Sequence, residues 1–209
     1  MTDTEDQFLI DDLLTDGPPV DPLETAYMPE SRRITFSARR RFERVRQKQK
    51  LAEVIPQPPA PGESIHVVST AKFDFWTFVP QIIDWIGRTE MLYCSTWTLS
   101  RPNAVELFAL ADAGKIGRIA FLTGLYFKRR ETAVYAMLLD GIRARGGRYR
   151  AFRNHAKVLL VANRDRDAWL TVEGSANLTA NPRLEQYVFT NDRKLYEFHK
   201  GWMEECLTK

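Results

Sequence analysis

His155-Ala156-Lys157 and, further along, Gly174-Ser175-Ala176-Asn177 set polar groups of complementary chemistry beside apolar stretches. Val158-Leu159-Leu160-Val161 follows the first cluster, and Trp169-Leu170-Thr171-Val172 precedes the second. Both stretches read as strands, in which side chains i and i+2 share a face. His155 and Lys157 are then expected to project together, an imidazole nucleophile or base beside a fixed positive charge. Ser175 and Asn177 repeat the spacing as paired hydrogen-bonding groups, and Gly174 permits close backbone approach. Two adjacent strands so equipped make a pocket suited to a phosphate.

A phosphodiester gathers negative charge on its equatorial oxygens as a nucleophile attacks. Lys157, Asn177 and Ser175 are suited to stabilising that charge without a metal, and Arg153 adds to an electropositive strand start. An imidazole in this setting can attack phosphorus and form a covalent phospho-histidine. The leaving oxygen then needs a proton from a second group. His66 and His199 sit in unrelated contexts, so a second copy of His155 from another subunit is the expected donor. Taken singly, each residue has a plainer reading: His155 and Lys157 as strand-edge residues, Gly174–Asn177 as a turn with a helix cap. The combination is what points to chemistry.

The surrounding pattern alternates. Strands are expected over IHVVST, EMLYCSTW and IGRIAFLTG. Helices are expected over FDFWTFVPQIIDWIG, PNAVELFALADAG (Pro102 in its first turn, Gly114 at its end) and RRETAVYAMLLDGIRARGG. RYRAF, HAKVLLVA and AWLTVEG follow as short strands, the last two joined by the polar turn NRDRD, and RKLYEFHKGWMEECL closes as an amphipathic helix. This order predicts an α/β domain with a mostly parallel sheet, an antiparallel hairpin within it and flanking helices. Phe73, Phe75, Trp76, Phe78 and Trp85 recur at helical spacing and read as core or dimer surface. Trp97, at the end of the second strand, reads as core, with the pocket mouth as its alternative.

Residues 1–30 carry nine acidic side chains and no Lys or Arg, and read as a disordered tail. Residues 31–50 carry nine basic side chains and one Glu, so the net charge of +3 averages two opposed blocks. Segment 31–63 is expected to hold a basic helix over 31–54 and then a stiff proline-rich linker, IPQPPAPGES, with the folded domain spanning 64–209. The basic block suits a phosphate backbone, anionic lipid heads, or the acidic segment before it. No apolar run approaches the roughly 18 residues of a membrane span, and the acidic start lacks the basic opening of a secretory signal. A cytoplasmic protein without a membrane anchor is expected. Cys94 and Cys206 match no metal-ligand spacing, and Cys94 reads as a small core residue.

The run HAKVLLVANRDRDAWLTVEGSANLTANPRLEQ resembles the signature of the phospholipase D superfamily: a His-x-Lys strand, a short hairpin, Gly-Ser-x-Asn and a downstream Glu. The resemblance implies a phospholipase D-like half-unit, with His155 as nucleophile and a partner subunit's copy of the same histidine as general acid. It implies that Lys157 and Asn177 hold the phosphoryl oxygens, assisted by Ser175, and that Glu185 orients the histidine. No metal or other cofactor is implied. One motif per chain implies a homodimer built about a two-fold axis. The small single-motif relatives are mostly nucleases, which implies a DNA or RNA substrate. The pattern departs at Ala162, where the family carries an Asp. That departure leaves open a catalytically inactive nucleic-acid-binding or assembly protein, and a lipid-cleaving activity is the third reading.

Overall fold

The computed structural model describes residues 48–70, 73–179 and 183–208. The acidic tail and the basic residues before 48 lie outside the described residues. Residues 48–54 are helical. Leu51 and Ile55, one helical turn apart, are 0% and 1% exposed and belong to the core. The proline-rich stretch is tied down as well: Gly62 N donates to Asn191 O (2.7 Å) and Asn191 Nδ2 to Pro59 O (3.0 Å). Packing against the sheet therefore begins before Ser64, where the sequence pattern alone starts the domain.

Seven strands form one sheet: β1 (Ser64–Thr70), β2 (Thr89–Ser95), β3 (Ile116–Gly124), β4 (Arg148–Phe152), β5 (Val158–Asn163), β6 (Ala168–Gly174) and β7 (Leu184–Asn191), in the order β1-β7-β6-β5-β2-β3-β4. Helices α1 (Phe78–Ile86), α2 (Arg101–Asp112), α3 (Leu125–Arg130), α4 (Thr132–Ala144) and α5 (Arg193–Thr208) flank it. The α/β class is the one expected. Strands β1, β2, β3, β4 and β6 run in one direction and β5 and β7 in the other. The mostly parallel sheet thus holds for strand direction but not for pairing. Each reversed strand is inserted between two forward ones, so only β2–β3 and β3–β4 pair in parallel. The cause is connection length. β5 and β6 are joined by a single 3-10 turn, Arg164–Arg166, closed by Asp167 at φ 49°, which can link only antiparallel neighbours.

Both sheet faces are covered. On one, Leu92, Cys94, Leu159, Val161, Val172 and Phe189 pack against α1, α2 and α4 through Phe78, Ile82, Leu107, Leu138 and Ile142. Cys94 is a free, buried core thiol. Phe73, Phe75, Trp76 and Phe78 lie in this core, with Tyr187 among them at 5.2–6.0 Å between ring centres. On the other face, Tyr93, Leu122, Val158, Leu160 and Trp169 pack under α5 through Tyr196 and Met203. Glu204 clamps α5 to the sheet by accepting both guanidinium nitrogens of Arg148 (2.5 Å each) and the Tyr93 hydroxyl (2.5 Å). With both faces covered, all six residues of β5 are buried, which is why it reads as an unbroken apolar run.

Local departures have physical causes. The first helix opens with a 3-10 turn, Phe75–Thr77, because Asp74 caps it by accepting from Thr77 N (3.1 Å). The long helix expected over 129–147 divides at Glu131 into α3 and α4. Strand β7 has no counterpart in the sequence reading, because its pattern is inverted: Leu184 is 45% exposed while Glu185 is 8% exposed. No helix among the described residues is long and apolar enough to cross a membrane.

Ala162 sits near the far end of β5, 4% exposed in the apolar layer under α5. The β2–β5 ladder ends at Leu92–Val161, and the buried Thr89 hydroxyl continues it by donating to Ala162 O (2.8 Å) and accepting from Ala162 N (3.2 Å). Thr89→Val keeps the shape and removes both bonds, so we expect a loss of about 1–3 kcal/mol in urea unfolding. A stability equal to that of the parent chain would contradict this role.

Candidate active site

Because β5 and β7 run against the other strands, their first residues meet the last residues of β2, β3, β4 and β6 at one end of the sheet. This is the end at which α/β sheets commonly bind ligands. The ladder of β5 begins at Val158, so His155 and Lys157 lie in the extended entry to the strand rather than on it. Asn154 sets that entry. Its buried amide donates to Ser95 Oγ (2.9 Å) and Thr96 O (3.2 Å) and accepts from Ala156 N (3.0 Å), while Ser95 Oγ donates to Ala156 O (3.1 Å). The Ala156 backbone is held from both sides, which leaves His155 exposed and turns Lys157 inward to 7% exposure.

The two side chains meet even so. Lys157 Nζ lies 2.8 Å from His155 Nδ1, 3.0 Å from Nε2 and 2.8 Å from His155 O. Burial, and then the Lys157 charge, hold the His155 imidazole below its ordinary pKa. Burial lowers the Lys157 ammonium from 10.5 to about 8, opposed by the negative charge of Glu185. Near neutral pH this yields an uncharged imidazole beside an ammonium, the pairing a nucleophile and an anion-stabilising group require.

Glu185, on β7, accepts a short hydrogen bond from Ser175 Oγ. Ser175 is fixed for this by its backbone N donating to Gln186 O (3.1 Å) and by its hydroxyl accepting from Gln186 N (3.0 Å). Its hydroxyl proton thus serves the carboxylate. Gly174 supports the same pairing: a Cβ there would stand 2.8 Å from Tyr187 Cδ1 and 3.0 Å from Gln186 O. The close approach it permits is that of β7. Asn177 is half-buried, and its Oδ1 is buried without a hydrogen-bond partner among the described residues, which sets it apart from the structural amides. Its neighbour Leu178 is anchored by Asn103 Nδ2 (2.7 Å) and Ser100 N (3.0 Å), both donating to its carbonyl. Arg153 is exposed at the rim.

The other histidines serve elsewhere. His199 accepts from Trp202 Nε1 at Nδ1 (3.0 Å) and faces Glu173 with Nε2 (3.2 Å), so both nitrogens are engaged. His66 is exposed on β1, opposite Val188. Among the described residues no three His, Cys, Asp or Glu side chains form a metal-holding group. Trp97 lies half-buried with its ring 5.7 Å from that of His155, the pocket-mouth alternative rather than the core. The sequence reading gave no role to Asn154 or Ser95, since a buried amide bridging two distant segments leaves no local pattern. Ala162 stands five residues beyond Lys157, about 17 Å away along a strand, so an Asp there would not reach the His155–Lys157 pair.

The depressed Lys157 pKa has a sign. Between about 8 and the ordinary 10.5 the unfolded chain binds the extra proton, so stability rises with pH across that window. Below it the folded chain carries the full cost of the buried ammonium. The stability difference between the parent and Lys157→Gln should therefore move in the parent's favour as pH rises from about 8 to 10.5, read by urea unfolding at several pH values. A difference that stays flat would contradict burial as the cause.

No protein-family model matches the chain, and no curated protein matches it in sequence. Similar solved structures exist. Nuc from Salmonella typhimurium, a phospholipase D family member, aligns with a TM-score of 0.51 at 18% identity, over 68% of this chain and 93% of Nuc. A polyphosphate kinase from Porphyromonas gingivalis aligns with a TM-score of 0.49 at 11% identity, over 67% of this chain and 25% of the kinase. TrmBL2, an archaeal chromatin protein, aligns with a TM-score of 0.46 at 11% identity, over 81% of this chain and 60% of TrmBL2. The sheet, its two reversed strands and the helices on both faces make this a chain of the phospholipase D-like fold.

Proposed function

We propose that this chain is a phosphodiesterase that cleaves nucleic acid through a phospho-histidine, in an active site completed by a second copy of the chain. The observation that carries the reading is the contact of a buried ammonium, Lys157, with the ring of an exposed imidazole, His155, held below its ordinary pKa. The neutral ring nitrogen of His155 attacks phosphorus, and the N–P bond forms as the P–O ester bond breaks. The leaving oxygen takes a proton from an acid. Water then attacks phosphorus, the N–P bond breaks, and a phosphate monoester departs while the acid site recovers its proton. Lys157 and the Asn177 amide stabilise the equatorial oxygens, and the Glu185 charge, supported by Ser175, keeps Lys157 protonated.

His199 is engaged at both nitrogens. The acid is therefore assigned to His155 of a partner subunit, and the active form to a homodimer. Nucleic acid is the favoured substrate because Lys128, Arg129, Arg130 and Arg153 are exposed on segments that follow β3 and β4 at the site end of the sheet. Loss of the Asp at Ala162 does not argue for an inactive protein, since Thr89 secures the strand end there.

Hydrolysis of single- and double-stranded DNA and RNA should persist in EDTA and fall by at least about 100-fold in His155→Ala. It should also decline as pH rises past about 8, where Lys157 loses its proton. Activity abolished by EDTA, or retained in His155→Ala, would overturn the mechanism. Salt-dependent binding unchanged in His155→Ala, with no turnover by the parent chain, would mark a binding protein instead.

A further inference from the structure

Trp97, which follows β2, and Tyr126, in α3, stack on each other with ring centres 4.6 Å apart and planes 23° from parallel. Both are half-buried, and neither belongs to the apolar layers that cover the sheet. The Trp97 indole N–H and the Tyr126 hydroxyl make no hydrogen bond to other described residues, so no polar tether explains their placement. The chain leaves room for the pair on purpose of geometry: a Cβ at Gly124 would fall 2.4 Å from Trp97 Cδ1, and Gly124 N donates to Trp97 O (3.2 Å). The indole centre is 5.7 Å from that of His155, tilted by 58°.

We infer that Trp97 and Tyr126 form a stacking ledge for an unpaired nucleobase next to the scissile phosphate, which makes single-stranded nucleic acid the preferred substrate class. This inference rests on the phosphodiesterase reading of His155 and Lys157. A flat π-face beside a phosphate-binding group matches the two parts of one nucleotide unit. Stacking on an aromatic face tolerates any base but needs that base out of a duplex. Arg129 and Arg130 lie three and four residues beyond Tyr126, on its side of α3, where they can follow the adjoining phosphates. An aromatic ledge can also hold a quaternary ammonium headgroup. The cations around this one, Lys157, Arg129 and Arg130, repel such a group and attract a polyanion.

Fluorescence anisotropy on the full chain tests the ledge, in a His155→Ala background so that cleavage does not intrude. The probes are a single-stranded oligo-dT, an abasic strand of equal length and a duplex of equal length. The single strand should bind at least about 10-fold more tightly than the abasic strand. Trp97→Ala should erase that preference, Trp97→Phe should keep most of it, and Tyr126→Ser should reduce it. Abasic binding should be unchanged in all three, which also reports that they are folded. Equal binding of abasic and normal strands by the His155→Ala protein, or preference for the duplex, would overturn the ledge while leaving hydrolysis by the parent chain intact. A preference that depends on Trp97, without hydrolysis by the parent chain, would sustain the ledge and remove the catalytic reading. Trp97-dependent cleavage of phosphatidylcholine vesicles, with no strand preference, would assign the ledge to a headgroup and refute the inference.

Discussion

A buried ammonium at the head of β5 is the constraint around which this end of the molecule is organised. Lys157 is 7% exposed at the edge of an apolar layer, and an isolated charge there carries a heavy desolvation cost. Glu185 supplies the compensating charge, and it must enter β7 at a core-facing position to do so. That carboxylate needs a donor, provided by Ser175; Ser175 is held by Gln186, and their pairing needs a glycine at 174. A chain of dependencies thus runs from one charge through two strands. The incomplete compensation leaves Lys157 with a pKa near 8, and burial together with the Lys157 charge holds the His155 imidazole below its ordinary pKa.

Strand reversal makes this arrangement possible. In a wholly parallel sheet only the last residues of strands reach the ligand-binding end. Here β5 and β7 are reversed, so their first residues, and the segment entering β5, arrive there too. The candidate site is therefore composed of the entry to β5, which supplies Lys157, the start of β7, which supplies Glu185, and strand exits, which supply Ser95, Trp97, Gly124 and Ser175. The two ends of β5 differ in composition: its entry carries the His155–Lys157 contact, and its other end carries Ala162 and the Thr89 hydrogen bonds.

The elements were largely legible because hydrophobic period and turn residues are local signals. β2, β3, β5 and β6 read as strands, and α2 and α5 as helices, on spacing alone. β7 was not legible, because Glu185 faces inward and Leu184 faces out, which inverts the period at its start. The divided α3–α4 segment and the docking of Leu51 and Ile55 were equally hidden, the latter two at the junction of a basic helix and a proline-rich stretch. At the site, His155 and Lys157 were correctly drawn together, but for a different reason. They lie before the strand, and their meeting follows from Asn154 and Ser95 gripping the Ala156 backbone.

What the sequence by itself determined is the inventory of reactive groups, their spacing along the chain and the alternation of elements, since each of these depends on near neighbours. What only the tertiary structure decided is what each group touches. Ser175 became the carboxylate's donor and Gly174 the point of β7's approach, and of the two readings of Trp97 the one beside His155 held rather than the core. These roles rest on hydrogen bonds and contacts between residues from about 10 to nearly 60 positions apart, and no local pattern encodes such distances until the sheet has closed.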